Sequence, residues 1–368
     1  MRMKPLLKWP GGKGRELAQV YGMIPEYDRY IEPFFGGGAL FFRLCPQRAA
    51  INDISRDLMV FYRQVQAQDP AFRDALRAYA VSFQGLLELG RSRCTSLLAL
   101  FDRVCAGEPD AREQLRTLLQ AWTPDLLALF PIPLLPDAGA FLRELEEALW
   151  DKLCRTARNH QKKPFSPADL AENLVTGLAS GYYLYFRQVY NDRCLGRISL
   201  DPGPAMANFF FVRENCYGSM FRYNRAGEFN IPYGGMSYNK KDLSGKVETL
   251  LQPQTAALFA GTEIASMDFE DFLTGLNLTQ RDFLFLDPPY DTEFSDYEGN
   301  AFTKLDQARL AVFLSRTPAK FLLIIKRTDF IEDLYSQGFR VRKFDARYTY
   351  NVRSRNDRKA EHLIITNY

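Results

Sequence analysis

Histidine is almost missing from this chain: 368 residues hold two, His160 and His362. None of the six cysteines (Cys45, Cys94, Cys105, Cys154, Cys194, Cys216) stands in a C-x-x-C spacing. These shortages speak against a zinc site and against a disulfide framework, and reduced thiols in a cytoplasm fit better. No apolar run is long enough to span a bilayer, and Met1-Arg2-Met3-Lys4 lacks the apolar core of a signal peptide. A soluble, cytoplasmic protein is therefore expected, with no membrane partner and no metal. Charge of one sign is scarce too, at a net +3, so the whole-chain balance says little about partners. Its distribution says more, because Arg340 to Lys359 carries eight basic residues against two acidic ones. That excess suits phosphate contacts, and a solvated surface stretch would read the same way.

Hydrophobic residues make up 46% of the chain, enough for one large domain or two smaller ones. Tyr30 to Phe34 reads as a strand running into Gly36-Gly37-Gly38, with a helix starting at Ala39. Ala49 to Ile54 is a second strand, and Asp57 to Gln68 a helix with Leu58, Phe61, Tyr62 and Val65 on one face. Strand, glycine turn, helix, strand is the opening unit of an open parallel sheet. From Phe72 to Leu170 the spacing turns helical, interrupted by Phe130-Pro131-Ile132-Pro133-Leu134-Leu135-Pro136. Ser180 to Tyr238 is dense in Tyr, Phe, Arg and Asn; the strand pattern then resumes at Asp282–Leu286, Phe321–Ile325 and His362–Ile365.

Two constellations carry chemistry. In Glu32-Pro33-Phe34-Phe35-Gly36-Gly37-Gly38 a strand ends in a turn that lets backbone approach a ligand. Asp53, at the end of the next strand, can accept both hydroxyls of a ribose; a helix N-cap is its structural alternative. Position 41 is Phe, where a dinucleotide fingerprint needs Gly or Ala, so a pyrophosphate grip is disfavoured. A ligand with a sugar and no phosphate fits better, and S-adenosylmethionine is one. The second constellation, Asp287-Pro288-Pro289-Tyr290, follows a buried strand. Two prolines stiffen the turn and leave carbonyls as acceptors. An exocyclic amine has two hydrogens, which Asp287 and the Pro288 carbonyl can take, turning the lone pair toward a methyl donor. Tyr290 offers a face on which a flipped-out base can stack.

These residues resemble the Dam-type (D12 class) adenine-N6 DNA methyltransferases. Leu7-Lys8-Trp9-Pro10-Gly11-Gly12-Lys13 looks like the family's L-K-W-x-G-G-K, and Glu32 to Gly38 like its E-P-F-x-G-x-G. Asn52 to Leu58 is similar to its D-I-N-x-D-L segment. Arg222-Tyr223-Asn224 and Gly227 to Gly234 resemble its R-Y-N…G-E-F-N-V-P-F-G run, followed by the D-P-P-Y and by Phe302-Thr303. The resemblance implies an α/β, Rossmann-like open sheet of the S-adenosylmethionine-dependent type. Residues 1–71 with 239–368 would form the catalytic domain, 72–175 an inserted helical subdomain, and 176–238 the target-recognition region. It also implies that Trp9, Lys13, Glu32, Phe34, Gly36, Gly38, Asp53 and Asp287 surround the cofactor, with Trp9 as an aromatic wall and Lys13 as a cation for the methionine carboxylate. Asp287, Pro288 and Tyr290 would carry catalysis.

Arg222, Asn224 and Arg225 are the candidate base readers, since Arg reads guanine and Asn adenine. Asn224 could equally serve only to hold a turn. Lys8 is a further DNA candidate, and Arg355 and Arg358 suit phosphate. Duplex DNA bound by a monomer is the expected partner, GATC the expected site, and pairing with a restriction endonuclease stays open. Cytosine-N4 methylation and a catalytically inactive DNA-binding relative are the alternatives; a nicotinamide oxidoreductase is opposed by the missing third glycine. One departure from the family stands out: Lys326-Arg327 occupies the place of its usual Ser-Asn pair.

Overall fold

The computed structural model describes residues 3–9, 17–289, 296–297, 300–347 and 359–368. The chain forms two compact units, Met1–Gln66 with Pro253–Tyr368, and Ala67–Gln252.

The first unit is built on a sheet whose strands, in chain order, are β1 (Arg29–Glu32), β2 (Ala49–Asn52), β3 (Thr262–Ala265), β4 (Asp282–Leu286), β7 (Lys320–Lys326), β8 (Arg340–Arg347) and β9 (Lys359–Thr366). Between β4 and β7 lies a small separate ribbon, β5 (Asp296–Tyr297) with β6 (Asn300–Ala301). The seven sheet strands run in the order β3-β2-β1-β4-β7-β9-β8. Neighbours from β3 to β7 are parallel, and β9 is antiparallel to both β7 and β8. This is the expected mixed α/β sheet of the S-adenosylmethionine-dependent methyltransferases. Period-two alternation sends Ile31, Leu284, Leu323 and Ile365 to one face, where Phe272, Leu310 and Tyr335 cover them. Tyr30 and Phe283 go to the other, with ring centroids 6.1 Å apart, and Phe41 packs on Tyr30 at 6.2 Å. Both faces are covered, which is why β4 reads as an unbroken apolar run.

β1 stops two residues short of the expected end at Phe34, because Pro33 has no N–H to give the ladder. At its other end Arg29 forks onto Asp282, Nε to Oδ1 at 2.8 Å and Nη2 to Oδ2 at 3.0 Å. Those two residues are register partners, so the ion pair locks β1 to β4 at the end of the strands remote from the motifs. Burial opposes the Asp282 charge, but the bonds from Arg29 and Thr279 outweigh it and hold the carboxyl below its ordinary range.

The second unit is helical. Its long helices are Pro70–Ser92, Cys94–Ala106, Ala111–Ala128, Ala138–Lys162, Pro167–Cys194 and Pro202–Asn215. The Pro-rich segment starting at Phe130 separates the third from the fourth, as its breakers require. Residues 239–252 group with this unit through Lys246, which pairs with buried Glu214, and Glu248, bonded to Arg77 at 3.2 Å. Among the described residues no helix is long and apolar enough to cross a membrane.

Candidate active site

Strand order fixes where the site must be. From β1 the chain steps outward through β2 to β3, then returns to lay β4 on the opposite flank of β1. In such a sheet the crevice opens beyond the carboxyl ends of the two strands where the order reverses. Ile31 registers with Leu284, so the glycine turn after β1 and the Asp287-Pro288-Pro289 turn after β4 leave the sheet side by side. The two constellations, 249 residues apart counting from Gly38 to Asp287, belong to one place.

The glycine turn is held from β2. Phe35 N–H donates to the Asn52 carbonyl at 2.9 Å, and Gly36 N–H to Asp53 Oδ2 at 2.8 Å. Asp53 Oδ1 accepts from Ser55 N–H at 3.0 Å. Asp53 is therefore both a turn brace and a local cap, and each oxygen keeps a lone pair for a further donor. Burial pushes its carboxyl above the ordinary range, with the Ser55 and Gly36 N–H bonds pulling part of the way back. Gly36 and Gly38 both have positive φ, +49° and +63°. A Cβ on Gly36 would come within 3.0 Å of the Trp9 indole, and one on Gly38 within 2.4 Å of the Phe35 ring. Trp9, expected as a wall of the cofactor pocket, thus packs against the glycine turn, half-buried. Lys8 beside it is exposed.

Glu32 is almost fully buried and accepts the Tyr30 hydroxyl at 2.7 Å. Burial raises its carboxyl well above the usual carboxylate range; the Tyr30 bond opposes this, and the nearby Asp287 and Asp53 charges add to it. Three carboxyl groups thus stand close enough to bear on one another. Phe34 is turned into an aromatic cluster, 5.5 Å from Phe269 and 5.4 Å, edge-on, from Phe302.

Sequence reading missed the residues that join the loops. Asn52 is buried, and its Nδ2 donates to the carbonyls of Pro33 at 3.1 Å and Met267 at 3.0 Å, while Oδ1 accepts from Met267 N–H at 3.0 Å. Ser266 Oγ donates to the Asp53 carbonyl at 3.1 Å. The ends of β1, β2 and β3 are thereby tied together, and Ile54 and Met267 stand at the rim with about half their surface open. The one available signal was Asn52 itself, a polar residue closing a buried strand. Arg309 adds a lock, donating to Asp268 at 2.6 Å and Glu270 at 2.8 Å and stacking on Phe269 at 4.9 Å. Arg327, in the family's Ser-Asn place, donates to Glu332 at 2.7 Å and pairs with Glu361 at 3.1 Å, a surface network. Lys13, Tyr290, Arg355 and Arg358 lie outside the described residues. Among the described residues no His, Cys, Asp or Glu cluster is arranged to hold a metal.

In the second unit Arg222, Asn224 and Arg225 share a hairpin bridged at Tyr223 and Phe229. Buried Arg213 organises its approach, donating to the Met220 and Ser219 carbonyls at 3.0 Å each, with its guanidinium 3.6 Å over Phe221. Asn191 clamps Phe229 through both amide atoms, at 2.8 and 3.1 Å. Asn224 Oδ1 accepts from the N–H groups of Ala226 and Glu228 at 3.0 and 2.9 Å, and Nδ2 donates to Glu228 Oε2 at 3.0 Å. Its side chain is spent almost entirely on the turn. Arg222 is exposed and donates from Nε to Asn230 Oδ1 at 2.7 Å, leaving hydrogens on its outer edge. Arg225 is exposed at the tip, with no partner among the described residues.

The chain is similar in sequence to known proteins. The chain is 24% identical over its whole length to the full-length Type II methyltransferase M.CviBI of Paramecium bursaria Chlorella virus NC1A. It is also 24% identical, again end to end on both chains, to the Type II methyltransferase M.MjaIII of Methanocaldococcus jannaschii. The DNA N-6-adenine-methyltransferase of Escherichia phage P1 is 26% identical over 94% of this chain, which spans 33% of that longer protein. The signature of the D12 class N6 adenine-specific DNA methyltransferases matches residues 9–87 and 152–350, and the unmatched stretch between them falls inside the helical unit. The chain belongs to that family, the D12 class N6 adenine-specific DNA methyltransferases.

Proposed function

We propose that the protein transfers a methyl group from S-adenosylmethionine to N6 of an adenine flipped out of a short duplex DNA site. The observation that carries this reading is the meeting of the glycine turn, braced by Asp53, with the Asp-Pro-Pro turn at the adjoining ends of β1 and β4. The residues there suit the cofactor. Asp53 has acceptor capacity for a sugar diol, Asp53 and Asp287 make the crevice hospitable to a cationic sulfonium, and Ile54 and Met267 offer apolar edges to a purine. Trp9, Lys13, Phe34, Gly36 and Gly38 complete its surroundings. When bound, the cofactor supplies an electrophilic methyl group.

The remaining work is positioning. Asp287 and the Pro288 carbonyl accept the two amine hydrogens and aim the nitrogen lone pair, and Tyr290 stacks on the extruded base. No strong base is called for before the amine attacks. Arg222 and Arg225 reach DNA from the hairpin, Asn224 gives that hairpin its shape, and Lys8, Arg355 and Arg358 contact phosphate. The likeness of the R-Y-N and G-E-F-N runs makes GATC the proposed site. Full-length relatives named Type II methyltransferases support a modification role beside a restriction endonuclease. Base-resolved methylation mapping of DNA from cells expressing the chain tests base, site and activity together. N6-methyladenine at one short motif is expected; N4-methylcytosine or unmodified DNA would refute the reading.

A further inference from the structure

The Asp287-Pro288-Pro289 turn has few handles. Proline nitrogen carries no hydrogen, so residues 288 and 289 offer a neighbour only their carbonyl oxygens. Any side chain that braces this turn through those residues must therefore be a donor. Gln307 is one: its Nε2 donates to the Pro289 carbonyl at 3.0 Å. The orientation of this amide is forced, because the carbonyl can only accept. Gln307 is fully buried, and its Oε1 has no partner among the described residues. A buried oxygen left unbonded is a cost that Met or Leu in the same space would not carry. Among the described residues, the amide is explained by the one bond that it makes.

The frame behind Gln307 is rigid. It sits in the first turns of the helix Lys304–Arg316, whose start is set by a reciprocal capping box between Thr303 and Asp306. Arg309 on the same helix grips Asp306, Asp268 and Glu270. Just before the helix, Phe302 packs on Phe34 and Phe269. Through Gln307 the Pro289 carbonyl is thus tied to a body that also holds the loops after β1 and β3.

We propose that Gln307 is a positioning residue for methyl transfer. By fixing the Pro289 carbonyl it holds the stiff Pro288-Pro289 pair, and with it the Asp287 carboxylate and the Pro288 carbonyl, where they take the hydrogens of the amine. It contacts neither base nor cofactor. This rests on the proposed role of Asp287 and Pro288, and its effect falls on the chemical step, which is steeply sensitive to small misplacement.

The test uses the full chain as wild type, Gln307→Met and Gln307→Glu. Single-turnover transfer of tritiated methyl from S-adenosylmethionine to duplex plasmid DNA is followed across pH, beside melting curves and calorimetric cofactor affinity. Gln307→Met should slow transfer by roughly tenfold to hundredfold, with cofactor affinity within about twofold of wild type. Gln307→Glu has no hydrogen to donate while ionised. Burial favours its protonated form, so its rate relative to wild type should fall as rising pH ionises it and recover as acid returns the proton that can bridge to the Pro289 carbonyl. At pH values where the melting curves show the variant folded, a space-filling role gives no such recovery, so the Glu variant decides the matter even if the Met variant fails to fold. A folded Met variant at wild-type rate, or a Glu deficit that ignores pH, overturns the assignment. Wild type that labels no DNA overturns it together with the proposed function, whereas active wild type with unimpaired variants overturns Gln307 alone.

Discussion

Asp53→Ala is the perturbation that best separates the two duties of the glycine turn. The carboxylate accepts the Gly36 and Ser55 N–H groups at 2.8 and 3.0 Å, and the substitution strands both donors. An unsatisfied buried donor costs about 1–3 kcal/mol. Gly36 is partly open to solvent, so water can replace one of the bonds, and the loss should lie near the lower end. There is an offset as well: the carboxyl stands above its ordinary range because burial costs its charged form more than the two N–H bonds return. A net destabilisation of about 1–2 kcal/mol follows from the lower part of that range. For a unit of this size it lowers Tm by about 2–4 °C per kcal/mol. Cofactor affinity should suffer more, by about 1–3 kcal/mol or roughly fivefold to 150-fold, since the diol acceptor and the turn's brace go together. Asp53→Asn should fall between, because its oxygen still serves one donor while its amide opposes the other. Differential scanning calorimetry paired with titration of S-adenosylmethionine reads both quantities on one preparation. Unchanged affinity in a folded Ala variant would remove Asp53 from the cofactor, and unchanged Tm would show that its two bonds do not set the turn.

The remaining expectations concern protons, DNA and the target base. Glu32 is held above the ordinary carboxylate range, so the folded protein keeps a proton that the unfolded chain releases, and stability falls as pH rises from that range toward the folded value. Glu32→Gln should therefore match wild type in acid and gain on it with rising pH, as urea melts at several pH values would show; a constant difference would mean that Glu32 does not titrate in this interval. Arg355→Ala should lower DNA affinity and flatten the dependence of log K on log salt by about one contact's worth, a slope change near 0.9; an unchanged slope would put Arg355 off the phosphates. Asp287→Ala should abolish transfer while DNA binding persists. Tyr290→Phe should keep much of the activity and Tyr290→Ala lose the stacking face, worth about 1–3 kcal/mol; if melting temperature falls in step with activity in Tyr290→Ala, the ring is a packing residue.

Some of the fold was legible because single strands in parallel sheets are covered on both faces. β4 and β7 are nearly pure apolar runs, and they were read where they lie. β3 and β8 were not. Thr262-Glu263-Ile264-Ala265 is short and half-exposed, with no apolar run to detect. β8 lies at the sheet's edge, and its Arg340-Val341-Arg342-Lys343 start looked like a charge cluster. Charged residues on an edge strand are a common defence against pairing with another chain, so that part of the basic excess has a structural use before any DNA is invoked. The helix Pro202–Asn215 was hidden for the opposite reason. Nearly every residue in it is buried, so no amphipathic stripe marks its period.

The site shows the same division between what one residue states and what only a network can. Glycine and proline announce themselves, because a positive φ or a missing N–H is a property of the residue type; Gly36, Gly38 and Pro288 were legible for that reason. Asn52 and Asn224 are both amides in promising places, and nothing local distinguishes a base reader from a brace. The difference lies in partners far along the chain or around a turn: Asn52 answers to Met267, 215 residues on, and Asn224 to the backbone of Ala226 and Glu228. An Asn whose oxygen already accepts two N–H groups has no acceptor left for the adenine amine, whereas Arg222 keeps hydrogens on its outer edge. Specificity in this hairpin should accordingly follow Arg222 rather than Asn224. Arg222→Ala should relax the choice of site in methylation mapping. Asn224→Ala should loosen the hairpin and weaken DNA binding evenly across sequences, and a change of preferred site in that variant would return the amide to base reading.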